Sequence, residues 1–230
     1  MTRLTPVAAD IWIADGPDVS FLGFPYSTRM VVIRLRGGGL FVYSPIPPDA
    51  DLLQDIDRLG PVAFLVSPNK IHHLFLGDWK RIYPQALMFA SPGLAARRAD
   101  LTFDGALQEA PDPGWADDID QVMVHGSFAM TEVAFFHRAS RTLIIADLIQ
   151  RFAPEHFTFW KRQIMRLWGL TAPMGGAPRE FRLSFIFGKR KLRRAVAQML
   201  AWQPERILIA HGLNVETDAV AYLKRAFNWA

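Results

Sequence analysis

The sequence predicts an α/β (α+β) fold, a sandwich of two β-sheets with helices on its outer faces. Three observations predict it. Short apolar runs rich in Val, Ile and Leu read as buried strands, and they alternate with helical segments along the 230 residues. The order of elements is similar in both halves (hairpins, helix, strand, helix), which suggests a pseudo-duplicated architecture. Several of the apolar runs end on, or just before, a His or Asp. Sheets covered by helices gather their ligands at such strand ends.

Asp10–Ile13 reads as a short strand. Arg29–Leu35 and Leu40–Ser44 are strands joined through Gly37, Gly38 and Gly39, a hairpin signal. Their alternation is poor, so both faces are expected to be buried. Pro45, Pro47 and Pro48 stop the second strand and open a helix that runs to about Leu59. Val62–Val66 is the next strand, a helical segment follows His72 and stops near Pro84, and Ala86–Ala90 is another strand. Ser91 and Pro92 cap a short helix. Residues 99–118, rich in Asp, Pro and Gly, read as a long connection. Asp120–Val124, Thr131–Phe136 and Thr142–Ala146 are strands, the last two joined by a turn at His137–Arg141. Pro154 begins a helix that reaches Trp168, and Gly169–Pro178 has the irregular composition of a loop or lid. A helix at 189–202, a strand at Arg206–Ala210 and a helix at 215–227 complete the chain.

Half of the residues are hydrophobic, which suits one domain spanning residues 1–230. There is no cysteine, so a metal could be held only by His, Asp or Glu. The start of the chain lacks the charged-then-apolar pattern of a signal peptide, and no stretch is long enough to span a bilayer. The expected compartment is the cytoplasm. A net charge of +4 is too weak to indicate a nucleic-acid partner. Lys189, Arg190, Lys191, Arg193 and Arg194 open the helix at 189–202. They read as a solvated face, with a phosphate or membrane-surface patch as the alternative.

Of the six histidines, His72, His73, His125 and His211 lie at or just beyond strand ends, and Asp147 lies at another. These residues are the candidate metal ligands. The other two, His137 and His156, fall in a turn and in the first turn of a helix, where exposure is expected. Phe157, Phe159, Trp160, Trp168, Met165 and Met174 cluster near the suspected lid and read as core, or as an apolar wall for substrate. There is no nucleophile elbow, phosphate-binding loop or dinucleotide fingerprint.

The phrases Thr28-Arg29-Met30-Val31-Val32-Ile33, Ser67-Pro68-Asn69-Lys70-Ile71-His72-His73-Leu74, Arg141-Thr142-Leu143-Ile144-Ile145-Ala146-Asp147-Leu148 and Ile209-Ala210-His211-Gly212 carry a resemblance over nearly the whole chain. The sequence resembles the metallo-β-lactamase superfamily and, more closely, its DUF4336 group. The resemblance implies a four-layer αββα sandwich of two mixed β-sheets flanked by helices. The superfamily's metal loop, H-x-H-x-D-H, falls here on Pro68, Lys70, His72 and His73. The resemblance therefore implies an eroded first metal site that keeps only His125. It implies a second site of His72, His73, Asp147 and His211. If only one of the adjacent histidines turns inward, the matched position favours His73.

The implied cofactor is one divalent ion, Zn²⁺ with Fe²⁺ or Mn²⁺ as alternatives, or none at all. Asp147 would bind the metal or orient water, and His125 would be a spare ligand or a general acid or base. Lys70 either points to solvent or supplies the charge that the lost metal would have given. The expected function is a metal-dependent hydrolase acting on a small molecule. The alternatives are a catalytically inactive binding or structural protein of the same fold, and an iron site for redox or oxygen chemistry. The lack of an added flavin-binding module weakens the last.

Overall fold

The computed structural model describes residues 3–230. The first sheet has seven strands in the sequential order β1 (Thr5–Ala8), β2 (Ile11–Phe21), β3 (Phe24–Arg34), β4 (Leu40–Tyr43), β5 (Val62–Val66), β6 (Leu87–Ala90) and β7 (Gly105–Ala106). The first four strands pair antiparallel and the remaining pairs are parallel. The second sheet has the order β11 (Arg206–Ile209), β10 (Thr142–Ile145), β9 (Glu132–His137) and β8 (Ile119–Val124). Here β10 and β11 are parallel and the other pairs antiparallel. Both sheets are thus mixed.

The continuous apolar runs are explained by burial on both faces. In β3, Val31 and Ile33 point between the sheets, whereas Met30 and Val32 point outward. The outward set packs under α1 (Ala50–Leu59), α2 (Leu76–Ile82) and α3 (Leu94–Arg97), through Leu52, Ile56, Trp79 and Leu94. In β10, Ile144 faces the first sheet, whereas Leu143 and Ile145 face α6 (Lys189–Ala201) and α7 (Ala219–Ala226). The order of layers is therefore helix, sheet, sheet, helix. The central layer is aromatic, with the Phe41 ring 5.2 Å from Trp115 and 5.4 Å from Phe135.

Several expectations need correction. The strand at Asp10–Ile13 is the start of an eleven-residue strand, and with β3 it forms a long hairpin that overhangs the sheet. Its tip is polar or irregular in sequence, which hides the pairing from a pattern reading. The helix from Pro154 to Trp168 is broken into a 3₁₀ turn at Pro154–His156 and α4 (Phe159–Leu167). A short helix, α5 (Arg179–Leu183), follows the irregular segment. His137 is buried at the end of β9, where Ser140 Oγ lies 2.7 Å from its Nδ1, and His156 is half-buried and stacked on Phe152. Phe157 and Met165 are core, but Phe159, Trp160 and Met174 are exposed.

Candidate metal centre

Three sequence-distant side chains meet where the carboxyl ends of strands from both sheets converge. His72 comes from the loop after β5, Asp147 from just beyond β10, and His211 from just beyond β11. His72 Nε2 lies 3.1 Å from Asp147 Oδ2, His211 Nε2 lies 3.3 Å from Asp147 Oδ1, and the two Nε2 atoms are 3.2 Å apart. Asp147 and His211 are buried, and His72 is nearly so.

Each ring is held by its other nitrogen. His211 Nδ1 donates to the Ser27 carbonyl at 2.7 Å, and His72 Nδ1 is 2.8 Å from Ser44 Oγ. The Ser27 contact fixes the tautomer, because a carbonyl only accepts. A neutral His211 therefore turns a bare Nε2 lone pair toward His72 Nε2 and a carboxylate oxygen. That arrangement repels itself unless a hydrogen on His72 Nε2, an added proton or a metal ion lies among the three groups.

The loops that present these groups are firmly tied. Ser67 Oγ is within 2.7 Å of the Asn69 carbonyl and 2.6 Å of that of His72. Asn69 Oδ1 accepts from the Ile71 and His72 amides, and its Nδ2 donates to Asp147 Oδ2 at 2.7 Å and to Glu132 Oε2 at 3.2 Å. Glu132, buried in β9, accepts the Ala146 and Asp147 amides, each at 2.8 Å. Arg29 Nη1 donates to the carbonyls of Ile209 and Gly212 and to Asn214 Oδ1, which pins the turn after His211. Gly212 is required there. Its φ is +100°, and a Cβ would lie 2.2 Å from the Arg151 carbonyl oxygen.

Burial works against the Asp147 charge, but facing His72 and His211 outweigh it and hold the carboxyl well below the usual carboxylate range. Burial likewise opposes the charged His211 ring, yet its hydrogen bond to Asp147 and that carboxylate's charge raise its pKa. Burial and the charge of Asp147 push Glu132 up to about 8, against its N–H donors. Both His211 and Glu132 thus bind a proton more tightly folded than unfolded. Their stabilising contributions are full below the ordinary values of 6.5 and 4.5 and are lost as pH rises through the folded values. The Asp147 contribution runs the other way and is lost only on acidification below its ordinary 3.8. Metal-free protein is therefore expected to melt at progressively lower temperature from about pH 6.5 to about pH 8, above the range in which His73 and His137, whose pKa values burial lowers, work the other way. Thermal denaturation in chelator across that range checks it, and a flat or rising profile would contradict it.

Of the adjacent histidines it is His72 that joins the cluster, whereas His73 borders the same recess but is held by Arg98. His73 Nδ1 is 3.1 Å from Arg98 Nη1, which also donates to the His73 carbonyl. Since guanidinium only donates, a neutral His73 carries its proton on Nε2 and has no lone pair to offer a metal. Burial and the charges of Arg98 and Arg97 lower its pKa. His125 is not brought to the cluster either. It ends β8, and β9 lies between β8 and β10, which sets it about 10 Å to the side. Its Nε2 lies instead 2.7 Å from Glu109, beside a cavity lined by Lys191 and Arg194. Lys70 does lie nearby: with Phe21, Tyr26, Met130, Asp147 and Phe181 it lines a cavity of about 270 Å³. A smaller recess of about 110 Å³ opens directly on His72, Asp147 and His211.

A reading of the sequence misses Glu132, Asn69, Ser44, Arg29 and Tyr26. Glu132 left a signal, as a lone carboxylate heading an otherwise apolar strand. Tyr26 lines both cavities, and burial with the charges of Asp147 and Glu180 pushes its phenol up to about 12.

The chain matches the family described as "Domain of unknown function (DUF4336)" over residues 10–165. No curated protein matches it. Among solved structures it is similar to the metallo-beta-lactamase DIM-1, with a TM-score of 0.66 at 12% identity over 99% of this chain and 97% of that one. The metallo-beta-lactamase FIM-1 from Pseudomonas aeruginosa, solved in a mono-zinc form, gives a TM-score of 0.64 at 12% identity over 98% and 94%. A metallo-beta-lactamase from Pontibacter korlensis gives 0.61 at 11% identity over 99% and 98%. Identities this low establish a shared fold.

Proposed function

The chain belongs to the DUF4336 family and has the metallo-β-lactamase fold, and from that premise we propose that it is a hydrolase working with a single divalent ion. The observation that carries this reading is the convergence of His72 Nε2, His211 Nε2 and the Asp147 carboxylate. Bonds of about 2.0–2.1 Å in a tetrahedral arrangement separate ligand atoms by about 3.3–3.4 Å. The separations here are 3.1, 3.2 and 3.3 Å. The donor set, two imidazoles and one carboxylate, suits Zn²⁺, with Fe²⁺ and Mn²⁺ as alternatives. Three protein ligands leave a position open, as in catalytic rather than structural sites.

A divalent ion held there supplies Lewis acidity for polarising a carbonyl or phosphoryl oxygen and for acidifying water. The chain's own residues do the rest. Asp147, fixed by Asn69, orients the attacking water. Tyr26, protonated at neutral pH, donates a hydrogen bond toward the reacting oxygen. Lys70 stands where the superfamily loop carries a histidine of the first metal site, and it binds an anionic substrate group. The first site is thereby reduced to a point charge, a reading supported by the mono-zinc form in which the similar FIM-1 structure was solved.

The test compares chelated and zinc-loaded protein on ester, thioester and phosphodiester chromogenic substrates. Turnover that depends on metal and disappears in Asp147→Asn supports the reading; equal turnover in chelator overturns it. In the same assay Lys70→Ala should lower kcat/KM about tenfold for anionic substrates and leave neutral ones unchanged, the scale of one charge-assisted hydrogen bond.

A further inference from the structure

Exposed apolar side chains and positive charge concentrate in one part of this chain. Residues 157–194 carry ten of its 26 basic residues and one of its 22 acidic ones, so the remainder is net acidic. On α4, Trp160, Ile164 and Leu167 fall at i, i+4 and i+7, one stripe on the side away from buried Met165. Trp160 is 77% exposed. Leu183 at the end of α5, and Ile186 and Phe187 beyond it, are exposed, as is Phe128, whose amide donates to the Ser184 carbonyl. Phe187 is 97% exposed.

These elements flank one opening. The tip of the β2–β3 hairpin exposes Phe21 and Leu22. Next to it Lys161 Nζ donates to the Gly23 carbonyl, and Phe24 packs 5.9 Å from Trp168, which docks α4 on the hairpin. Phe21 also shares the larger cavity with Phe181 of α5 and with Asp147. The hairpin tip therefore links α4, by contact, and α5, through the shared cavity, to the mouth of the His72–Asp147–His211 site.

We propose that this exposed apolar surface is a docking surface for an anionic lipid bilayer, with α4 and the α5–α6 turn lying in the interface and the site mouth facing the lipid. Trp, Phe and Leu on one face with Lys and Arg beside them are what an interfacial helix requires. No helix among the described residues is long and apolar enough to cross a membrane, and the contact proposed is with the bilayer surface. A second copy of the chain is a poor occupant, because a symmetric contact would oppose one set of cations to another. A nucleic acid would engage the cations and leave the apolar stripe in water. The proposal is independent of the chemistry at the site.

The experiment is vesicle flotation of the full chain, in chelator and with zinc, on phosphatidylcholine alone and on phosphatidylcholine with about a third phosphatidylglycerol. Wild type should float with the anionic vesicles and remain in solution with the neutral ones. Trp160→Ser with Leu167→Ser should lower the partition at least about tenfold. Arg166→Gln and Arg190→Gln should each lower it about fivefold. All of these side chains are exposed, so melting temperatures should not change. Absence of wild-type flotation overturns the proposal. So does flotation unaffected by the apolar pair, which would mark a charge-only polyanion site. Self-association in sedimentation velocity that the apolar pair abolishes, without flotation, would assign the surface to a second copy and overturn it as well.

Discussion

Replacing His211 with alanine is expected to remove the metal. Protein purified without chelator should contain about one equivalent of zinc, iron or manganese by elemental analysis, and His211→Ala should contain almost none. The effect should exceed the 10–100-fold loss of affinity typical of removing an outer partner of a ligand, because a direct donor disappears. Ser44→Ala is the graded control. It removes only the hydroxyl beside His72 Nδ1 and should weaken metal about tenfold. His73→Ala should retain the ion, since its ring is turned to Arg98. Full metal in His211→Ala, or loss in His73→Ala with His211→Ala intact, would refute this assignment of ligands.

The second large effect concerns stability. Glu132→Ala should destabilise the protein by about 2–5 kcal/mol. The change orphans two buried backbone amides, at about 1–3 kcal/mol each, and leaves a void in β9. For a chain of this size that is a fall of roughly 10 °C in melting temperature. Glu132→Gln keeps one acceptor and should fall between the two. The same variants should lose metal affinity, because Glu132 holds the turn that aims Asp147 and shares Asn69 with it. A Glu132→Ala protein that melts like the wild type would show that water replaces the carboxylate at no cost.

The layered fold was legible because it rests on short-range signals. Continuous apolar runs in β4, β5, β10 and β11 mark strands buried on both faces, and prolines mark the start of α1. The long β2–β3 hairpin was not legible. Its tip carries exposed and irregular residues whose pairing is visible only in the register of Val19 with Tyr26 and Phe21 with Phe24. At the site, Asp147 and His211 were marked by their position after apolar strands. The inward turn of His72 was not, because which of two adjacent rings faces the site depends on Ser44 and Arg98, residues far apart in sequence.

Local sequence is enough to set the alternation of buried strands and covering helices, and to offer only nitrogen and oxygen as candidate ligands in a chain without thiols. Those are properties of composition and period, carried by each residue and its near neighbours. Which of those candidate ligands meet is settled by tertiary packing. Strand order puts β10 beside β11 and keeps β8 one strand further off, so Asp147 and His211 converge while His125 is left to Glu109. The physical reason is that lateral spacing in a sheet is fixed by hydrogen-bonded neighbours at about 4.8 Å, and the identity of those neighbours is settled by long-range packing.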